Sequence, residues 1–412
     1  MLPALQTKKA EVRQRIYYVW NYLEWGGAQM HLISIMKRAR KNWDITVLLP
    51  EGSSEVLLSF LRSAGADIVF LKHKLDLSAA DSVSRKIRRQ FSRVRSEFEI
   101  LSFFFKRTYA PFVVHIETAP WQSWQLLAAL RLLGGRVFVT CHNALSGGPA
   151  WRKLVWRSRL AFLIKSGSLR LFAANRDTLN RLAEWVPKNG LSRIPVTHTA
   201  VDPIEISTAA IGNDERKSLR EKFGIGETDL VVLCVGQFID RKGRWIFFEA
   251  AREILSQGNK MTFVWLGPEP PTPAEQEMID SYGLGDSFRF VVSNTLGAQR
   301  QDVLKFFNIA DIFALPSYLE GLPISLLEAM SLGLPSISTN VNSIPEAIIQ
   351  GKTGILVEPG DYEALAGSLL ELAENAELRK TLGNNGREHV LRQFDEEKVA
   401  QIVLASYESS IP

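Results

Sequence analysis

The segment Asp311 to Ile348, DIFALPSYLEGLPISLLEAMSLGLPSISTNVNSIPEAI, concentrates residues that could do chemistry. Its strand-like run ends at Leu315, and a loop then presents Glu320, Gly321 and Leu322. Pro323 reads as the first residue of a helix that ends around Leu332, with Gly333 behind it. Proline at the start and glycine past the end mark a helix with defined termini. Its first turn offers amide N–H groups without partners at the positive end of the dipole, which suits a phosphate. Glu320 lies just before that turn, and Glu328 lies about a turn and a half inside the helix at 100° per residue. The two carboxylates can therefore bracket a bound phosphate from different sides. Taken singly, Glu320 reads as a helix cap and Glu328 as a surface residue. Their spacing, with Gly321, Pro323, Ala329 and Gly333-Leu334-Pro335, favours a ligand site.

Three further places carry candidate groups. Val231–Gly243, VVLCVGQFIDRKG, is a strand and a short loop that delivers Arg241 and Lys242 to its end, two cations suited to a phosphate or, more plainly, to a solvated turn. Gly26 and Gly27 follow the first strand-like run and precede a helix with Met30, Ile33 and Met36, so backbone there can approach a ligand closely. His142 ends the run Val137–Cys141; a single histidine at a strand end is more often structural than functional. No Asp-x-Asp triplet and no spaced His/Cys cluster occurs, so no metal site is expected.

The elements that must position these groups alternate. Strands are expected at Ile16–Trp20, Ile45–Leu49, Ile68–Leu71, Phe112–Ile116, Val137–Cys141, Leu171–Ala174 and near Pro195–Thr197. A second series covers Leu230–Val235, Thr262–Leu266, Phe288–Val292, Ile312–Leu315, Ser336–Ser338 and Gly354–Val357. Helical patterns lie between them, which implies an α/β chain with two doubly wound Rossmann-like domains and a ligand in a cleft between them. The polar stretch after Asp202 puts the boundary near residue 203. Charge changes sign at the same place: residues 1–200 hold 31 Lys and Arg against 13 Asp and Glu, and residues 201–412 hold 18 against 31. The net charge of +5 hides this asymmetry.

The run E-G-L-P-x-S-L-L-E-A-M closely resembles the signature of the retaining nucleotide-sugar glycosyltransferases of family four, the glycosyl transferases group 1, which have the GT-B fold. The resemblance covers nearly the whole chain. It implies that residues 1–203 bind the acceptor, that 204–391 bind the nucleotide sugar, and that 392–412 form a helical segment packing back toward the N-terminal domain. It implies that Glu320 contacts donor-sugar hydroxyls and Glu328 the ribose, since a carboxylate accepts two hydrogen bonds from a vicinal diol. Lys242 and Arg241 would neutralise the diphosphate, His142 would touch the transferred sugar, and Gly26, Gly27, Gln237, Gly321, Leu322 and Pro323 would line the donor. Glu346 and Asp202 also match family positions. The chain departs from the pattern at Gln237, where an arginine is common, at Gln29 for Glu, at Thr199-Ala200 for Asn-Gly, and at Asn342-Ser343 for a glycine pair. The implied activity is sugar transfer with retention, in polysaccharide, lipopolysaccharide or glycolipid synthesis, with a nucleotide-sugar co-substrate and no other cofactor. A non-catalytic transferase-like binding subunit at a membrane is the alternative that Gln237, Thr199 and Asn342 motivate. A dehydrogenase is disfavoured, because no G-x-G-x-x-G follows the first strand.

Composition fits an ordinary globular chain, with 46% hydrophobic and 23% charged residues. No run approaches the roughly 18 apolar residues of a membrane span, and Met1 to Arg15 lacks the apolar core of a secretory signal. Two cysteines, Cys141 and Cys234, lie in apolar runs and point to buried thiols in a reducing compartment, hence a cytoplasmic location. Ser82–Leu101 sets Val83, Ile87, Phe91, Val94, Phe98 and Leu101 at intervals of three and four, with basic residues elsewhere and no acid before Glu97. Such a stripe faces either a core or an anionic membrane surface on which the chain sits peripherally. Nucleic acid is not expected, since the aromatics are not interleaved with the cations.

Overall fold

The computed structural model describes residues 13–20, 27–72, 82–107, 111–117, 123–142, 149–165, 167, 169–297 and 299–411. Two units emerge, each around its own sheet. The first comprises Met1–Ala173, Thr178–Thr197 and Ala400–Pro412, and the second comprises Ala174–Asp177 and His198–Val399. The main division thus falls a few residues before the polar stretch after Asp202, and the chain's last residues return to the first unit.

In chain order the first unit runs β1 (Gln14–Val19), α1 (Gly27–Ala39), β2 (Trp43–Pro50), α2 (Glu55–Ser63), β3 (Asp67–Leu71), α3 (Val83–Arg107), β4 (Phe112–Ile116), α4 (Trp124–Leu132), β5 (Gly135–Cys141), α5 (Ala150–Lys165) and β6 (Leu169–Ala173). Two short helices follow, α6 (Arg176–Leu182) and α7 (Lys188–Leu191). The strands are parallel in the order β3-β2-β1-β4-β5-β6. Helices cover both faces, so strands such as FVVHI of β4 are buried throughout. On one face Ile100, Phe104, Leu127, Leu130, Trp156 and Leu160 bring α3, α4 and α5 into one layer. On the other, Leu32, Met36, Leu57 and Leu61 of α1 and α2 pack with Val403 and Tyr407 from the end of the chain. The strand expected near Pro195–Thr197 is only a single bridge, Val196 to Ala173. Pro195 has no N–H to extend a ladder.

Helix α3 departs from the simpler expectation for its stripe. Its buried positions are Ser96, Ile100 and Phe104, whereas Val83, Ile87, Phe91, Val94 and Phe98 are exposed and Leu101, the last of the stripe, is half-buried against the core. The two sets lie roughly 130° apart around the helix at 100° per residue, so the stripe is not the core face.

The second unit contains α8 (Pro203–Ala209), α9 (Asn213–Lys222), β7 (Val231–Val235), α10 (Arg244–Ser256), β8 (Thr262–Gly267), α11 (Pro273–Ser281), β9 (Phe288–Val292), α12 (Arg300–Phe306) and β10 (Ile312–Leu315). After these come α13 (Ile324–Ser331), β11 (Ser336–Thr339), α14 (Ile344–Ala347), β12 (Ile355–Val357), α15 (Tyr362–Glu374), α16 (Ala376–Gln393) and α17 (Glu396–Glu408), whose residues from Ala400 belong to the first unit. The sheet order is β12-β11-β10-β7-β8-β9, all parallel. Strand order reverses between β7 and β10, which pair through Ile312–Val232 and Phe313–Leu233. The loops leaving these neighbours therefore emerge side by side, the usual ligand position in such sheets.

Candidate active site

Those two loops hold the site's charges. Beyond β7 the chain makes one 3-10 turn, Asp240–Lys242, and Gly243 then caps α10 with φ +70. A Cβ at Gly243 would stand 1.8 Å from the Pro316 carbonyl oxygen, so only glycine lets the two loops meet here. The Tyr318 amide donates to the Arg241 carbonyl at 2.8 Å and ties the loops a second time. Lys242 Nζ consequently lies 2.6 Å from Glu320 Oε1, which also accepts from Ser317 Oγ at 2.9 Å. Arg241 Nη1 donates to the Leu319 carbonyl at 3.0 Å and reaches Glu320 Oε2 at 3.4 Å. Glu320 is buried, and two cations plus a hydroxyl hold its carboxylate, so it is no mere helix cap.

The residues around Glu320 explain one departure from the family pattern. Asn342 has φ +46, and among the described residues it is the sole non-glycine in the left-handed region. Asparagine tolerates that conformation better than most side chains. Its Oδ1 also accepts from the Glu320 amide at 3.4 Å, a contact that a glycine could not make.

Helix α13 begins at Ile324 with Pro323 at the N-cap, one residue later than the sequence pattern suggested. The proline precedes the turn instead of opening it. Ser325 Oγ donates to the Val235 carbonyl at 3.0 Å and seats the helix start against the end of β7. Every residue from Ser325 to Ser331 is buried, so Glu328 is an interior residue and not a surface one. Arg300 Nη2 lies 2.5 Å from Glu328 Oε1, and Arg300 Nε lies 3.0 Å from Glu205 Oε2. Burial pushes the Glu328 carboxyl up, and Arg300 opposes that rise. Burial also disfavours the Arg300 charge, but Glu328 and Glu205 outweigh it and hold the guanidinium ionised.

The remaining candidates fall elsewhere. Gln237 is exposed, Gly321 is half-buried, and Leu322 and Pro323 are buried beside Glu320. Gly26 lies outside the described residues, and Gly27 begins α1. His142, in the first unit, lies 2.6 Å by Nε2 from Oε1 of the buried Glu117, and its carbonyl accepts from Thr178 Oγ1 at 2.9 Å. His31 approaches its ring edge-on at 5.9 Å. Cys141 beside it is buried, which pushes its thiol up to about 12; burial raises Cys234 as well. Neither thiol is a nucleophile near neutral pH. Asp202 caps α8 through the Ile204 amide at 2.9 Å. Glu346 accepts from the Arg176 amide at 2.9 Å and from His198 Nε2 at 2.9 Å. Burial would raise the Glu346 carboxyl, but His198 and the Arg176 and Asp177 amides outweigh it and lower it.

Sequence reasoning missed Arg300, Glu205 and Glu117. Arg300 meets its partners across 28 and 95 positions, which no local pattern reveals. Among the described residues, no group of three or more His, Cys, Asp or Glu is placed to hold a metal ion, and no helix is long and apolar enough to cross a membrane.

Residues 215–389 match the family model Glycosyl transferases group 1. N-acetyl-alpha-D-glucosaminyl L-malate synthase of Bacillus anthracis is 31% identical over 217 residues, covering 50% of this chain and 55% of the relative. A GDP-mannose-dependent alpha-(1-6)-phosphatidylinositol monomannoside mannosyltransferase of Mycolicibacterium smegmatis is 27% identical over 225 residues, 53% of this chain and 56% of the relative. The chain thus spans about half the length of the curated relatives it matches. Among solved structures, a glycosyltransferase of Rickettsia africae superposes with TM-score 0.77 at 17% identity, covering 97% of this chain and 99% of that one. Anabaena HepE in complex with UDP and glucose gives TM-score 0.70 at 17% identity, covering 96% of this chain and all of that one (100%). Residues 215–389 thus resemble the glycosyl transferases group 1 family, and the chain as a whole shares the GT-B fold of these solved structures.

Proposed function

We propose that the protein is a retaining glycosyltransferase that moves a sugar from a nucleotide diphosphate donor to an acceptor hydroxyl in polysaccharide, lipopolysaccharide or glycolipid synthesis. The observation that carries this reading is the buried Glu320 held by Lys242 at 2.6 Å, beside the start of α13. Lys242 and Arg241 supply positive charge for a diphosphate, and Glu320 is a positioned acceptor for sugar hydroxyls. Glu328 takes the ribose hydroxyls, with its other oxygen committed to Arg300. His142, steadied by Glu117, has the role toward the transferred sugar that the family resemblance implies.

The anomeric carbon's bond to the leaving phosphate oxygen breaks while its bond to the acceptor oxygen forms. The acceptor's proton passes to the leaving phosphate, so no protein nucleophile is required. The chain works on the cytoplasmic face of a membrane, attached peripherally through the exposed stripe of α3 and the cations around it. A relative named for GDP-mannose and phosphatidylinositol, and a fold neighbour bound to UDP and glucose, support this donor class and a lipid-borne acceptor.

Replacing Glu320 with Gln keeps its volume and removes its charge. Transfer from a radiolabelled donor should fall about a hundredfold or more while the fold is kept. Rates near wild type would refute the assignment. A thermal-shift screen against UDP, GDP and ADP sugars identifies the donor by the stabilisation each confers. Nucleotide binding without any transfer or hydrolysis, with or without membranes, would favour the non-catalytic binding subunit.

A further inference from the structure

Helix α5 is apolar on two faces at once. Trp156, Leu160 and Leu163 are buried in the first unit's core. Trp151, Leu154, Val155 and Phe162 are exposed, Trp151 at 68% and Phe162 at 60%. At 100° per residue those four fall within an arc of roughly 100°, so they form a second apolar stripe. A helix apolar all round normally lies inside a protein. Isolated surface hydrophobics are ordinary, but a helical stripe of large ones is not.

Two observations give this stripe a partner. The first is its place in the fold. Helices α3, α4 and α5 share one core on one face of the sheet, and as crossovers between parallel strands α3 and α5 both run back along it. Their outward faces therefore look to the same side. On that side α3 exposes Phe91 at 71% and Phe98 at 72%, and Arg131 of α4 lies 4.6 Å over the Phe162 ring. The second is charge. The α5 sequence AWRKLVWRSRLAFLIK contains no acid, and Arg152, Arg157 and Arg159 are exposed along it. Arg88 and Arg95 of α3 are exposed as well, so an anionic and apolar surface complements this face. Tryptophan, phenylalanine and leucine on one face with arginine beside them is the composition of a helix lying in a bilayer interface. Tryptophan favours headgroup depth, and each nearby cation is drawn to anionic lipid.

We infer that α5 is a second membrane-contact element and that the first unit docks on an anionic bilayer through the outer face of its α3–α4–α5 layer. This rests on the membrane reading of α3 and extends it. One inserted helix lets a domain rock about its axis, whereas two, one on either side of α4, fix its tilt.

Co-sedimentation of the full chain with vesicles tests this. Wild type should bind phosphatidylglycerol–phosphatidylcholine vesicles and lose binding as salt rises. Trp151→Ser with Leu154→Ser should weaken binding about tenfold or more. Phe91→Ser with Phe98→Ser should do the same, and neither pair should shift the melting temperature materially, since all four sites are exposed. Brominated lipids should quench wild-type fluorescence more than that of Trp151→Phe.

Full binding by the α5 pair, with loss in the α3 pair, would overturn the inference and leave the α3 reading standing. The reverse pattern would uphold α5 and remove α3. Failure of wild type to bind any vesicle would overturn both, and binding of polyglutamate in that case would mark the face as a site for acidic protein. Equal binding to pure phosphatidylcholine would overturn the anionic assignment.

Discussion

The two units of this chain have the same strand order and opposite ways of keeping polar groups inside. Counted from its own first strand, each sheet is ordered 3-2-1-4-5-6. Apart from Glu117 beside His142, the first unit buries a neutral chain: Tyr18 Oη lies 3.4 Å from Tyr407 Oη, which lies 2.5 Å from His115 Nδ1, and His115 Nε2 lies 2.8 Å from Thr140 Oγ1. The second unit buries ion pairs. Arg220, fully inside, lies 2.7 Å from Asp311 and fills its other positions with the carbonyls of Ile309, Gly226, Glu227 and Asp229. Lys242–Glu320 and Arg300–Glu328 repeat the device at the site. An acidic half can absorb its cations into carboxylates. With 31 cations against 13 anions, the basic half cannot pair them one to one, and it leaves them beside exposed apolar stripes. Topology here follows the apolar pattern, and the use made of it follows charge.

The sharpest way to break the contrast is Arg220→Ala. It frees the carbonyls of Gly226, Glu227, Asp229 and Ile309 and leaves Asp311 with Arg216 as its cation, so the second unit should lose about 2–4 kcal/mol, seen as a lower urea midpoint. A loss below about 1 kcal/mol would mean that the buried ion pairs are incidental.

Acid should act on the first unit before it protonates Glu346 of the second. Burial, aided by the charge of His142, lowers His115 from the usual 6.5 to about 3. The unfolded chain takes up that proton below about pH 6.5 and the folded unit does not until about pH 3. Stability present above 6.5 should therefore fall by about 1.4 kcal/mol per pH unit on acidification through that window. Urea midpoints measured against pH should show this slope, and His115→Phe should flatten it. An unchanged slope in the variant would remove the neutral chain as its cause.

The smallest expected effect on stability is Gly243→Ala, about 1–2 kcal/mol from the left-handed conformation alone. The Pro316 carbonyl then forces the Lys242 turn away from Glu320, so transfer should drop much more than the melting temperature does. A fall in proportion to stability would separate this loop from catalysis.

Much of this was legible in the sequence. Strands of four to eight β-branched and aromatic residues announce themselves, and Pro323 with Gly333 bounds α13 to within a residue. The Lys242–Glu320 meeting could be suspected only from a family pattern, because it depends on β7 and β10 being neighbours. The direction of the α3 stripe was not legible: periodicity shows that a face exists, but Ser96, Ile100 and Phe104 make another, and packing chooses between them. Helix α5 hid its stripe for the opposite reason, since apolar residues on two faces blur any period.

Helix α17 has a consequence for how the chain is made. Val399 packs in the second unit's core, while Ala400, Val403 and Tyr407 complete one face of the first unit's sheet. During synthesis, Trp43 and His115 emerge long before the Tyr407 that covers them. At about 5–20 residues per second, the stretch from Thr197 to Tyr407 occupies the ribosome for roughly 10–40 seconds. The second unit has most of its sequence free during that interval and can fold first, while the first waits with an open apolar floor. The half of the protein made earliest is the half finished last.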